Sequence, residues 1–452
     1  MLDKKLDKTG IEKLRLKVGV TGLDIHTLKS SELDEHLTLG AVPKQSKAAS
    51  LSKPVFAYLI VKLAQERGFN LDAPLDNFYK HPRLEGYEHR ELVTARKVLS
   101  HQSGIPAQDL FPDQSFRFQF KPGDEYAYSG TAYKYLQDVI EKHYGKSLEE
   151  LAQEIVFGPL ALGMKNSSFI DRDHKDPLHA AYTLKTTAED YAIFMKAMLR
   201  NPNMHEVFKP AISLMTDSWA KQKVENKELQ TQDLQAIDSG LGWLLEKTDN
   251  GIIAFHWGDA GVSKSFVAMN LTTGISCVYF ADKAQNGLSL VDPVITSTVT
   301  DLNHGLNFVM GKYGYQRHSV ENLAEKERFE TWDNMKYEIP PTMRAAWLAY
   351  LVEKNLVKKD YEPWQNTLVI TCDSDKAGLL VKLIEHEFEK VRGEDDSATI
   401  AEKDNKSILR INIKNPELYQ KFIEKLNTEK WLPATNTPQE TAQHKSPTLG
   451  KK

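Results

Sequence analysis

The longest apolar run in the chain, Pro54 to Leu63, lies in a segment marked at both ends. Ser50-Leu51-Ser52-Lys53 precedes it, and Gly68 follows Arg67, where a left-handed residue closes a helix. A run this short cannot cross a bilayer, which takes roughly 18–20 apolar residues. A helix from Ser50 to Arg67 therefore has to be buried in a protein core. A chain of 452 residues with 41% hydrophobic and 27% charged positions can build one, and its length predicts more than one domain.

The start of that helix can carry chemistry. Ser50 and Lys53 are three residues apart and so share a helix face, which lets the lysine amine approach the serine hydroxyl. Apolar surroundings favour the uncharged amine, which can take the serine proton. The helix N-terminus adds exposed N–H groups that stabilise developing negative charge. The same spacing occurs at Ser218-Trp219-Ala220-Lys221, but in a polar stretch followed by a charged run, and that occurrence is read as coincidence.

Two helices further on are predicted over Ala132 to His143, ending near Gly145, and Ala188 to Leu199, capped by Thr187. A weak hairpin is expected from Val18 to Leu23 and His36 to Val42, short and polar enough to weaken a sheet edge. Strands are expected over Gly240–Leu245, Gly251–His256, Ser265–Leu271 and Gly274–Ala281, forming one antiparallel sheet. A helix-like stretch from Leu290 to Met310 closes the region. Strands near both ends of a long helical middle make the class α+β.

After Gly314 the pattern restarts. Pro340-Pro341 punctuates the entrance to a small α/β module, with strands at Thr367–Cys372, Ala398–Glu402 and Ile408–Ile413 and helices at Lys376–Val391 and Pro416–Leu426. Domains are therefore expected at 1–314 and 315–431. The polar tail from 432 to 452 is expected to be disordered.

Several function classes lack support. A net charge of -4 from 58 basic and 62 acidic residues leaves no footprint for nucleic acid, so a small-molecule or peptide substrate is expected. Cys277 and Cys372 have no metal-ligand spacing and are read as ordinary apolar residues; neither a metal nor another cofactor is expected. The first nineteen residues lack the apolar stretch of a secretory signal, which predicts a cytoplasmic protein with signal-independent secretion left open. No membrane span is expected.

Order along the chain adds to the SxxK reading. ASLSKPVFAY (Ala49–Tyr58), LSHQSGIP (Leu99–Pro106), YSG (Tyr128–Gly130), GPLALGM (Gly158–Met164), TTAEDYA (Thr186–Ala192), GLGW (Gly240–Trp243) and HWG (His256–Gly258) follow one another. This series resembles the class C-like serine β-lactamases and penicillin-binding proteins with their esterase and D-peptidase relatives, over roughly residues 15 to 312. The resemblance implies a β-lactamase/transpeptidase-like fold, an antiparallel sheet flanked by helices plus an all-helical region.

It further implies Ser50 as nucleophile, with Lys53 and Tyr128 sharing base and proton-relay work. His256 stands at the Lys or His of the family's KTG-like strand motif. The backbone N–H groups of Ser50 and Asp259 would form the oxyanion hole, beside Gly258, where a glycine permits close backbone approach. Gly130 stands where β-lactamases carry an Asn that touches the substrate amide, and His256 replaces a Lys that helps hold a carboxylate. Both departures argue against efficient β-lactam hydrolysis and towards an ester or amide substrate.

Two other functions stay open: a catalytically weak binding protein of the same fold, and an acyltransferase using the same nucleophile. The C-terminal module is expected to modulate access or bind a protein partner. His101 is read as a structural turn residue satisfied by backbone partners, Tyr126 as packing, and Glu189 and Asp190 as first-turn residues of their helix.

Overall fold

The computed structural model describes residues 8–29, 34–107, 118–158, 161–170, 178–216, 236–249, 251–261, 263–283, 287–299, 357–362, 367–373, 380, 384–385, 388, 391–392, 396–403 and 406–428. The chain divides into two compact units, residues 1–338 without 110–113, and residues 339–452 with them. The expected boundary at 314, the tail from 432, and Ser218 with Lys221 lie outside the described residues.

In the first unit a helix, α1 (Lys8–Lys17), leads into the hairpin β1 (Gly22–Leu28) and β2 (Asp34–Gly40). The first strand lies several residues later than the aliphatic patch Val18–Leu23 predicts. β1 is not a weak edge: all seven of its residues are buried, and each has a partner on both β2 and the last strand of the sheet. The polar, exposed strand is β2, which takes the edge position where charged side chains hinder pairing with other chains.

The long apolar helix, α2 (Ser52–Arg67), follows the short strand β3 (Ser46–Lys47) and a single 3-10 turn, Ala49–Leu51. Every residue from Ser52 to Val61 is buried, as a helix apolar around its circumference requires, and Gly68 closes it at φ 70. Around it pack α3 (Ala95–Leu99), α4 (Gly130–Tyr144), α5 (Leu148–Ala152) and, after the short strand β4 (Lys185–Thr186), α6 (Ala188–Arg200). The expected caps are present. Gly145 ends α4 at φ 64, and Thr187 Oγ1 accepts the N–H of Asp190 at the start of α6.

The remaining strands are β5 (Ile212–Ser213), β6 (Ala236–Ser239), β7 (Leu244–Thr248), β8 (Gly251–Ala260), β9 (Ser263–Asn270) and β10 (Ser276–Asp282). With the hairpin they form one antiparallel sheet in the order β2-β1-β10-β9-β8-β7-β6-β5. Two sequence expectations shift. Gly240–Trp243 is the turn between β6 and β7, and the His256–Gly258 motif lies inside β8, which continues to Ala260. One core packs α2, α4 and α6 against the sheet, and a second core joins α1, sheet residues and residues 288–299.

The second unit holds an antiparallel sheet of β11 (Val357–Glu362), β12 (Thr367–Asp373), β13 (Ser397–Lys403) and β14 (Lys406–Asn412), in the order β11-β12-β14-β13, with α7 (Pro416–Thr428). β11 has no counterpart in the sequence reading; its VKKDYE stretch is too charged to signal a strand. Of the expected helix 376–391, Leu380, Ile384 and Phe388 are described as helical and buried.

Candidate active site

The turn that carries Ser50 is held in an unusual backbone conformation. Ala49 has φ 47, a left-handed value that costs a non-glycine residue roughly 1–2 kcal/mol. Surrounding contacts over-determine it. Ser52 Oγ donates to the Ala49 carbonyl at 2.6 Å and accepts the N–H of Leu184 at 3.0 Å, while Ser265 Oγ on β9 donates to the Ala48 carbonyl at 2.9 Å.

Gly258 lets this turn reach the sheet. A Cβ there would sit 2.3 Å from both the Ala48 carbonyl oxygen and Ser265 Oγ, closer than atoms can pack. The glycine thus acts by bringing the Ser50 turn against β8. Gly242 performs a similar service at α2, where its φ of +74 and a Cβ position 2.8 Å from the Lys53 carbonyl oxygen exclude a side chain.

Two side chains converge on Ser50. Lys53 Nζ lies 3.1 Å from Ser50 Oγ and donates to the Ala181 carbonyl at 3.0 Å. Tyr128, two residues before α4, donates its phenol proton to Ser50 Oγ at 2.7 Å. The Lys53 amine also stands 4.5 Å from the centre of the Tyr128 ring. Lys53 is 1% exposed, and burial holds its amine well below the ordinary lysine pKa. Burial pushes the Tyr128 phenol up, and the bond to Ser50 only partly offsets this. An amine whose charged form is disfavoured by burial and a protonated phenol therefore flank one hydroxyl.

These groups open into a cavity of about 540 Å³, whose lining includes Ser50, Lys53, Tyr128, Gly130, His179 and Asp259. That size suits a small ligand. A Cβ at Gly130 would meet Ala181 Cβ at 3.6 Å, an ordinary contact, so the glycine widens the cavity without being sterically required. Asp259 turns its carboxylate to Lys264 across the β8–β9 hairpin, a fully buried ion pair, and Asp259 Oδ1 also accepts the N–H of Gly261. This pair fixes the strand end that presents the Asp259 backbone to the cavity.

His256 stands apart from the cavity lining, its ring centre 6.4 Å from that of Tyr128. Its Nδ1 lies 2.8 Å from the Trp257 carbonyl, which makes Nδ1 the protonated nitrogen. Burial pushes it down to about 3. His101 fits the structural reading only in part. Its Nδ1 accepts the N–H of Ser129 at 3.1 Å, but its buried Nε2 has no hydrogen-bond partner. Tyr126 is 5% exposed within the second core. Asp190 is a bracing group, accepting from the N–H of Asn166 and from Ser167 Oγ.

Sequence reasoning missed three participants. The Ala181 carbonyl that holds Lys53, His179 on the cavity wall, and Lys264 beneath Asp259 all sit on segments without a motif of their own. Lys264 stands directly before the expected strand Ser265–Leu271, but its pairing with Asp259 follows only from the observed register of β8 and β9. Among the described residues there is no cluster of His, Cys, Asp or Glu able to hold a metal ion, and no helix long and apolar enough to cross a membrane.

The family model described as Beta-lactamase matches residues 46–294, more than half of the chain, and spans the Ser50 turn, α4 and β8. The chain belongs to the β-lactamase family. Among the relatives of this family member, penicillin-binding protein 4* of Bacillus subtilis (strain 168) is 24% identical over 253 residues, which are 46% of this chain and 54% of that protein. Protein flp of Staphylococcus aureus (strain MW2) is 22% identical over 273 residues, 52% of each. The chain thus spans about half the length of the curated relatives it matches.

A solved structure, the octameric penicillin-binding protein homologue from Pyrococcus abyssi, aligns with a TM-score of 0.51 at 16% identity. It covers 90% of this chain and 96% of that one, and its likeness is one of fold. Our β-lactamase family member has the expected β-lactamase/transpeptidase-like architecture, with a small C-terminal sheet module.

Proposed function

We propose that this protein is an acyl-serine hydrolase that forms an acyl-enzyme on Ser50 and hydrolyses a small ester or amide. The observation that carries the reading is the placement of Ser50 Oγ, 3.1 Å from a desolvated amine and 2.7 Å from a phenol, at the cavity of about 540 Å³. Lys53 is the base, because burial favours the uncharged amine that can take a proton. Tyr128 stays protonated and serves as the donor, passing a proton towards the leaving group.

In the first step Ser50 Oγ loses its proton to Lys53 Nζ and bonds to the substrate carbonyl carbon. The resulting oxyanion is met by the backbone N–H groups of Ser50 and Asp259. Collapse expels the alcohol or amine, which takes up the proton through Tyr128, and leaves the ester on Ser50. Water, deprotonated by Lys53, then attacks the ester carbon; the acid leaves as the bond to Ser50 Oγ breaks, and Oγ takes back the proton held by Lys53. His256 supports Tyr128 by packing and takes no proton, because it remains neutral over the working range.

Hydrolysis of p-nitrophenyl butyrate tests this division of roles. The rate constant kcat/KM is expected to rise with pH to a plateau as Lys53 loses its proton, with the acid limb lying below the ordinary lysine value. His256→Gln is expected to leave that limb where it is. A limb that disappears in His256→Gln, or release of p-nitrophenol that is equal in wild type and Ser50→Ala, contradicts the proposal.

Gly258→Ala should reduce kcat/KM for the same ester by about 10²-fold or more, since the added methyl displaces the Ser50 turn relative to β8. Turnover at the wild-type rate would show that the close approach at Gly258 has no part in the site.

A further inference from the structure

Three contacts converge on His101 from the segment that carries Tyr128. The His101 carbonyl accepts the N–H of Ala127 at 2.8 Å, and His101 Nδ1 accepts the N–H of Ser129 at 3.1 Å. Between those two residues, the Tyr128 ring stacks on the imidazole with centres 4.4 Å apart and planes 30° from parallel. One residue thus holds the backbone on both flanks of Tyr128 and its ring as well.

The arrangement is maintained against local cost. His101 has φ 59, in the left-handed region, at the end of α3. Its Nδ1 can accept only when the ring is neutral with its proton on Nε2, and Nε2 is buried without a partner. Burial keeps the ring uncharged, as that acceptor role requires. Packing alone would be served as well by an apolar ring, which leaves no N–H unsatisfied.

We propose that His101 is a positioning residue that fixes the Tyr128 phenol on Ser50 Oγ. The proposal rests on the acyl-serine reading above and deepens it, because the phenol sits at the end of a long lever. A small shift of the backbone at Tyr128 moves Oη by an ångström, and a misplacement of that size costs about 10²-fold in rate.

Two substitutions that tolerate the left-handed backbone separate the contributions. His101→Asn puts Oδ1 where Nδ1 accepts from Ser129, whereas His101→Gly removes both acceptor and ring. Each is made in wild type and in Tyr128→Phe, with p-nitrophenyl butyrate as substrate and circular dichroism as the check on folding. His101→Gly is expected to lower kcat by about 10²-fold with KM within about threefold, and His101→Asn to recover about tenfold of that loss.

In the Tyr128→Phe background the loss from His101→Gly should shrink to less than about threefold, since the hydroxyl it positions is gone. An equal loss in both backgrounds, or an Asn variant no better than Gly, would assign His101 a structural role alone. Should His101→Gly fail to fold, the cycle runs on His101→Asn: a loss confined to the background that retains Tyr128 supports the proposal, and an equal loss overturns it. Ser50→Ala measured alongside keeps the two readings apart, because activity that survives it overturns the acyl-serine assignment whatever His101 does.

Discussion

Lys53→Met is expected to lower the rate of acylation by at least about 10³-fold and, at the same time, to raise the melting temperature by about 2–4 °C or more. The amine is 1% exposed, packed among apolar residues of α2, and held by Ser50 Oγ and the Ala181 carbonyl. In the unfolded chain at neutral pH it carries a proton. In the folded protein burial disfavours that proton, so bringing the amine into the core costs free energy and stability is lower than it would be with an apolar side chain.

Because the unfolded state binds more protons between the depressed folded value and the ordinary value of 10.5, the Lys53 contribution to stability rises with pH across that window. Methionine fills a similar volume, carries no proton and removes both the cost and its pH slope. Thermal melts between neutral and alkaline pH, with fluorophosphonate labelling rates on the same samples, measure the two effects together. A variant that labels at the wild-type rate, or melts lower with the slope intact, would mean that Lys53 is a structural cation instead of a base. The gain in stability on loss of function is the signature of a group retained for chemistry.

Ser50→Ala should reduce turnover further, by at least about 10⁴-fold, since no neighbouring side chain can take over the covalent step. The fold should persist within a few degrees of the wild-type melting temperature. The backbone of the turn is held through the Ser52 and Ser265 hydroxyls, whereas Ser50 Oγ bonds to the side chains of Lys53 and Tyr128 in the site itself. Ligand binding that is unchanged in this variant, with no turnover in either form, would favour the binding-protein reading of the same cavity.

How much of this was legible in the sequence follows from the range of the interactions. The apolar helix and the glycine caps at Gly68 and Gly145 are local facts of helix geometry and appear in the structure where the sequence puts them, but the helix starts at Ser52, and Ser50 sits on the 3-10 turn Ala49–Leu51 ahead of it, still within reach of Lys53. The strand limits were less legible. Gly240-Leu241-Gly242-Trp243 has β-like composition, yet its glycine at φ +74 serves a turn packed on the Lys53 carbonyl, a contact between segments nearly two hundred residues apart in sequence.

The interior status of β1 was hidden for the same reason. Asp24 and His26 fall between the two expected strands of the hairpin, and their burial follows only from β10 and β2 covering both sides, with Asp24 accepting from the N–H of Ala188 and paired with His36. At the site, residues with motifs were found and residues that act through a carbonyl or a fold-back were not. Ala181 supplies only a backbone oxygen, which no side-chain pattern announces.

The most direct test of the central claim is the intact mass of the protein after incubation with a fluorophosphonate, followed by peptide mapping, in wild type and Ser50→Ala. A single adduct is expected on wild type, mapping to Ser50 and absent from the alanine variant. An adduct that persists in Ser50→Ala or maps elsewhere, or a wild-type protein that takes up none, would contradict the claim.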